Sequence, residues 1–319
     1  NSINVANQAA ASLANINFDN TGGVLAAGNS INFRASEFME KADLEIYGGD
    51  FLSNELNLNG GNGVVAFNGE EVTGVVNATG HDIRINSQTA DLQLGTLTGT
   101  GDPRVSNTGN INITASIIGN PISIYAGGNI TDSGGTAKTL DSQGGDMFLA
   151  AGVQFTPNPG GDETITGASA TGGSIALNDG NLTITTGGGN LLAIAREGTD
   201  ASSGRVTLMP SGSITTNGGN FTVIAEESST GVNSIVLRNV DTTGGGAGVG
   251  GGRPPGPGVG PGVGGGVLDR GVRGGRVGGD GVLGRGRGPC RALGPCRARD
   301  CGSGSGCSGC RAPASARVP

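Results

Sequence analysis

The sequence predicts an all-β chain: a parallel β-helix, or β-solenoid, over residues 1–243, followed by a disordered Gly/Pro/Arg-rich tail over residues 244–319. Three observations predict it. Glycine-led units recur at two preferred spacings, each unit alternates apolar with polar residues, and the composition changes abruptly after Thr243.

The units share one form. Gly49-Asp50-Phe51-Leu52, Gly109-Asn110-Ile111-Asn112-Ile113, Gly145-Asp146-Met147-Phe148-Leu149 and Gly219-Asn220-Phe221-Thr222-Val223-Ile224 each set Gly and then Asn or Asp before an apolar run. The starts Gly49, Gly80, Gly109, Gly128, Gly145, Gly173, Gly189 and Gly219 follow one another in steps of two sizes, about 16 to 19 and about 28 to 31 positions. A short unit and roughly its double mark a solenoid in which some coils carry an extra strand or a longer loop.

Inside the units Ile111 and Ile113, Leu182 and Ile184, Val206 and Leu208, and Ile235 and Leu237 sit two apart, so their side chains share one face of a strand. Gly and Asn at the unit edges provide the positive φ of tight corners. Coils stacked about 4.8 Å apart place equivalent Ile, Val and Leu over one another, predicting a narrow aliphatic column without bulky rings. An aromatic content of 3% and the absence of Trp agree with that column. At ~20–30 residues per coil, the segment makes about eight to twelve coils. Residues 1–20 are less regular, and helix-favouring runs are confined to Ala6–Ala14 and Ala35–Leu44.

The tail is chemically separate. Residues 1–243 carry 8 Lys or Arg against 23 Asp or Glu, a net of −15, whereas residues 244–319 carry 11 Arg against 3 Asp, a net of +8. With 28 of the 66 glycines and no periodicity, the tail has too little apolar surface to offset the entropy of ordering. Its nine residue types are those that GC-rich codons spell, so a shifted reading frame is a second account of its origin. Cys290, Cys296, Cys301, Cys307 and Cys310 include a single short pair, Cys307-Ser308-Gly309-Cys310, which does not make the four-ligand pattern of zinc. No metal and no cofactor is expected.

The units Gly172-Gly173-Ser174-Ile175-Ala176-Leu177, Gly219-Asn220-Phe221-Thr222-Val223-Ile224 and Gly109-Asn110-Ile111-Asn112-Ile113 resemble the repeats of filamentous haemagglutinin-like exoproteins, the surface proteins exported by two-partner secretion. The resemblance covers most of residues 20–243. It implies a right-handed parallel β-helix and roles in adhesion and surface filaments, with an outer-membrane transporter as partner during export and an unidentified host-cell or glycan ligand. Location outside the cell or on a bacterial surface follows from the same likeness. A start at Asn1 without Met fits an internal or processed piece of a longer chain. A cysteine-free repeat segment suits an oxidising route of export.

The charge and composition narrow the function classes. A segment with a net charge of −15 is a poor nucleic-acid partner. No run approaches the roughly 18–20 apolar residues of a membrane-spanning helix. The expected role is therefore structural, without catalysis, and no residue is assigned to a catalytic, cofactor or metal site. The alternative is a polysaccharide-active β-helix enzyme, a lyase or glycoside hydrolase, whose acid pair would come from Glu70-Glu71, Asp162-Glu163 or Glu226-Glu227. Asp162-Glu163 is the best of the three, because it follows the loop-like interruption Thr156-Pro157-Asn158-Pro159-Gly160-Gly161.

The remaining polar positions read as architecture. Asp50, Asp146 and Asp179 are expected at corners, bonded to local backbone. Four glycosylation-type patterns begin at Asn112, Asn129, Asn181 and Asn220, and arise automatically from Asn at a corner with apolar-in, threonine-out strands. Thr183, Thr185, Thr215 and Thr216 hint at a threonine ladder but recur in too few units for a flat ice-binding array. His81, the only histidine, is expected to be an exposed corner residue without a role.

Overall fold

The computed structural model describes residues 1–6, 15–35, 42–156, 163–179, 181–199, 203–226 and 234–244. Internal contacts divide the chain into two units, Asn1–Gly251 and Gly252–Pro319, of which only the first contains described residues. The tail with its five cysteines, Asp162, Glu227 and most of both helix-favouring runs lie outside them.

The described residues are all β, without a helix, and almost every strand pairs in parallel with its counterpart one coil away. One sheet of nine strands runs Ile16–Asp19, Leu44–Tyr47, Val65–Gly69, Ile83–Ser87, Pro103–Asn107, Ile122–Ala126, Met147–Ala151, Leu191–Ala195 and Phe221–Ala225. The other, of sixteen strands, begins around three long strands, Asp50–Asn59, Val72–Gly80 and Asp91–Gly99. Beyond Gly99 it divides into two branches. One holds Asn110–Ile113, Ile130–Asp132, Ile175–Leu177, Val206–Leu208 and Ile235–Leu237, and the other Ile117–Ile118, Lys138–Asp141, Leu182–Thr185, Ile214–Thr215 and Val240–Asp241. This is a stack of coils compatible with a β-solenoid. It includes strands from the less regular first twenty residues, since Ser2–Ala6 pairs with Ser30–Arg34 and Ile16–Asp19 with Leu44–Tyr47.

Register shows what the glycine intervals mean. Equivalent positions of successive coils, in or just before the nine-stranded sheet, are hydrogen-bonded across chain separations that vary widely. The separation is 28 from Asn15 to Asp43, 21 from Asp43 to Val64, 18 from Asn68 to Asn86, 20 from Asp82 to Asp102, 44 from Asp146 to Asn190 and 30 from Asn190 to Asn220. Two of the three short glycine intervals are not short coils, whereas the 19-position step from Gly109 to Gly128 is a whole lap that pairs Ile111 with Ile130. Gly128 and Gly173 precede strands of the sixteen-stranded sheet, whereas Gly145 and Gly189 precede strands of the nine-stranded sheet, so the steps from Gly128 to Gly145 and from Gly173 to Gly189 are each part of one lap.

The interior is a single apolar cluster from Ile31 to Ile214. In the nine-stranded sheet one inward column reads Ile46, Phe67, Ile85, Val105, Ile124, Leu149 and Ala193. Burial of such side chains is worth roughly 1.5–3 kcal/mol each. The expectation of a ring-free column fails near the N-terminus. Phe33, Phe51 and Phe67 are buried there, with Phe18 beside them, at centroid separations of 5.1 to 6.4 Å. These rings come from both sheets and meet inside the stack, Phe18 and Phe33 in the lap from Asn15 to Asp43, Phe51 in the lap from Asp43 to Val64 and Phe67 in the lap after it. In the shorter coils that follow, Ile and Val replace them.

The Gly-Asn/Asp signature also acquires a physical meaning. Before five of the nine strands of the nine-stranded sheet, the preceding residue lends its side-chain oxygen to a backbone N–H of the next coil. Asn15 accepts from Asp43 N at 3.0 Å, Asp43 from Val64 N at 2.9 Å, Asp82 from Asp102 N at 3.1 Å, Asp146 from Asn190 N at 2.8 Å and Asn190 from Asn220 N at 2.9 Å. A second such row runs Asn110 to Asn129 to Ser174 to Arg205 in the first branch of the other sheet. The unit-start glycine before the ladder residue serves close approach rather than a positive φ. A Cβ on Gly189 would lie 1.9 Å from the Gly145 carbonyl oxygen, and one on Gly219 1.9 Å from that of Gly189.

Candidate functional site

Two clusters of charge interrupt this regular scaffold, and the first contains the best acid of the sequence reading. Residues Val153–Thr156 and Thr164–Ala168 form an antiparallel hairpin, the only such strand pair among the described residues. It accounts for much of the long separation between Asp146 and Asn190. The hairpin packs on the outer side of the nine-stranded sheet, where Tyr125, Ala150 and Val153 are buried with Phe148, Phe155 and Ile165 around them. The Tyr125 ring lies 5.3 Å from Phe148 and 6.2 Å from Phe155, so most of the rings missing from the later core are spent here.

Glu163, at the start of the second hairpin strand, is buried against Arg104 of the sheet. The Arg104 guanidinium lies 2.5 Å from Asp102 Oδ2 and 3.6 Å from Glu163 Oε2, and its side chain is only 7% exposed. One coil earlier, Arg84 lies 3.9 Å from Asp82. The sequence thus located a carboxylate in a sheltered place but not its partner. Arg104 stands between Asp102 and Glu163 and contacts both. Chemically the arrangement ties the hairpin to the sheet.

Of the other acid pairs, Glu227 lies outside the described residues. Glu70 and Glu71 are exposed at one corner, and Glu226 makes a 2.7 Å ion pair with Arg196 across one coil. No group of three or more metal-ligating side chains occurs among the described residues. No helix there is long and apolar enough to cross a membrane. His81 is exposed, with Nδ1 2.9 Å from Thr100 Oγ1.

The second cluster was not foreseen. Lys138 aligns with Leu182 and Asp132 with Ile113, so both occupy positions that are aliphatic in the neighbouring coil. Neither side chain has measurable exposure, and Nζ lies 3.7 Å from Asp132 Oδ2. Lys138 also donates to Asp179 Oδ2 at 2.8 Å and to the Ser133 carbonyl at 2.7 Å. Asp132 Oδ1 accepts from Asn178 N at 2.8 Å and Asp179 N at 3.1 Å. Every charge is therefore met by an opposite charge or a backbone donor, as burial at low dielectric requires. The hydrogen bond from Lys138, helped by Gly135 N, holds the Asp179 carboxyl below the usual carboxylate range. Asp179 thus joins an ion pair spanning two coils while its carboxylate also accepts from the local Asn181 N–H. The alternation of Lys138 with Leu140, two positions on, is the sequence signal that could have revealed it.

The asparagines of the glycosylation-type patterns are occupied by the scaffold. Asn112 donates to Gln93 and Ser133, Asn181 to the Gly135 carbonyl, and Asn129 belongs to the corner row described above. The Asn220 backbone N–H is the last donor of the other row.

Comparison with protein-family models, curated proteins and solved structures found no match to this chain.

Proposed function

We propose that this chain is a length of structural shaft from a large exported adhesin-like protein of the cell surface, wound as a right-handed parallel β-helix and acting without catalysis. The observation that carries the reading is a single apolar core running through nine stacked coils, closed at its corners by side-chain rows that repeat at coil spacing. Such a stack gains stability from each neighbouring pair of coils and needs no cofactor. The likeness of the Gly-Asn-apolar units to filamentous haemagglutinin-like repeats adds the setting: export through an outer-membrane transporter and display outside the cell.

The test is made on cells carrying the parent gene. Antibody raised against residues 1–243 labels intact cells or the medium, and the label disappears when a neighbouring outer-membrane transporter gene is deleted. Signal that stays inside intact cells, whatever the transporter, rejects the reading. Bond cleavage in a panel of neutral and acidic glycans, abolished by Glu163→Ala, would instead establish the polysaccharide-active alternative.

A further inference from the structure

We propose that a groove on the outer face of the early coils binds a short, uncharged oligosaccharide along the stack. The inference rests on the shaft reading and names the class of ligand such a surface takes. The groove has a volume of about 250 Å³ and lies between two columns of outward side chains. One column is Asn32, Asn57 and Asn77, and the other is Arg34, Asn59 and Thr79, in register across three successive strands. The strand backbone between them forms its floor.

The first column is a hydrogen-bonded amide ladder. Asn32 Nδ2 donates to Asn4 Oδ1 at 2.8 Å, Asn57 Nδ2 to Asn32 Oδ1 at 2.8 Å and Asn77 Nδ2 to Asn57 Oδ1 at 2.9 Å, while Asn77 Oδ1 accepts from Thr96 N at 2.9 Å. Each primary amide has two N–H groups, so Asn57 and Asn77 each keep one outside the ladder. The ladder fixes the direction of these groups before any ligand arrives, which removes much of the ordering cost of a polar contact. Donors and acceptors repeat at about 4.8 Å, the coil spacing, and the groove spans about 10 Å along the stack. That length suits consecutive rings of an extended sugar chain, whose hydroxyls both donate and accept. No carboxylate lines the groove, which disfavours a cation, and the net charge of −15 over residues 1–243 repels polyanionic glycans. With no aromatic ring turned outward along the groove for stacking, affinity is modest, on the order of 0.1–1 mM.

Calorimetric titration of the full chain with neutral hexasaccharides of β-1,4-glucose, β-1,4-mannose and β-1,4-xylose, and with a heparin hexasaccharide, tests the proposal. The expected result is binding of at least one neutral sugar, weakened fivefold or more by Thr79→Val and by Asn57→Asp with circular dichroism unchanged. Should Asn57→Asp unfold the chain, Thr79→Val decides, because it lies outside the ladder and keeps its shape. Absence of neutral-sugar binding, tighter binding of heparin, or binding unchanged by Thr79→Val overturns the groove. Surface display without sugar binding would remove the groove and leave the shaft; sugar binding by a chain retained inside cells would do the reverse.

Discussion

The early and late coils turn corners by different means. In the early part, Asp50–Asn59, Val72–Gly80 and Asp91–Gly99 each run through a corner as one long strand, with irregular register between Leu52 and Glu55 and between Leu94 and Leu97. Phenylalanine rings fill the interior there. In the late part the strands stop short, and a repeated turn carries the chain into the nine-stranded sheet. Ser142-Gln143-Gly144-Gly145, Thr186-Gly187-Gly188-Gly189 and Thr216-Asn217-Gly218-Gly219 each have positive φ at both central residues, as in Gln143 at 47° and Gly144 at 95°. In each, the buried hydroxyl of the first residue donates to the carbonyl of the fourth, at 2.5 to 2.6 Å. One region depends on interior volume, the other on turn geometry.

Substitution separates the two dependencies. Gly189→Ala drives a methyl into the Gly145 carbonyl, with backbone on the receiving side, and is expected to cost roughly 4 kcal/mol or more in urea unfolding. An unchanged midpoint would mean that the late corners are not held by close approach. Phe51→Ala removes an interior ring from the early region and should cost roughly 3–4 kcal/mol. The same change at Phe155, in the half-buried hairpin cluster, is expected to cost about a third of that, and equal effects would show the hairpin to be as deeply committed as the core.

Lys138→Ala leaves Asp132 buried without its counter-charge and should cost about 3 kcal/mol, whereas Lys138→Leu combined with Asp132→Leu should cost less, because no unpaired charge stays in the interior although Asp179 and the Asn178 and Asp179 N–H groups lose partners. The smallest effect is on pH dependence. Because the Asp179 carboxyl is held below its unfolded value of about 3.9, the stabilisation it brings is complete above that value and is lost as pH falls through the lower folded one. Melting temperature followed from pH 6 to pH 3 should fall less steeply below about pH 4 in Asp179→Asn than in the unsubstituted chain.

These differences also explain what could be read in advance. Strand alternation and the glycine-led units announce a stacked β fold, because Ile111 and Ile113, or Leu182 and Ile184, can share a face only in a strand. The Asn-or-Asp position was visible as a corner, but its bond to the following coil was not, since sequence spacing does not say which turn lies above which. Mixing two faces in one series of starts made two part-laps look like short laps, beside the true short lap from Gly109 to Gly128. The turn hydroxyls Ser142, Thr186 and Thr216 recur three positions before a glycine and could have been found by aligning only the units of the nine-stranded sheet. Arg104 could not have been paired with Glu163, because the hairpin that brings them together is an excursion outside the repeat.

Laps as short as that from Asn68 to Asn86 and as long as that from Asn129 to Ser174 pass through the same stack without breaking it. Each strand's parallel partners lie one lap behind or one lap ahead, and none requires the far end of the chain. Such a polypeptide can wind up as it emerges, each new turn finding its template already formed, and surplus residues can be looped out at a corner without disturbing what was laid down before. For this topology, emergence of the chain and assembly of the stack are a single motion.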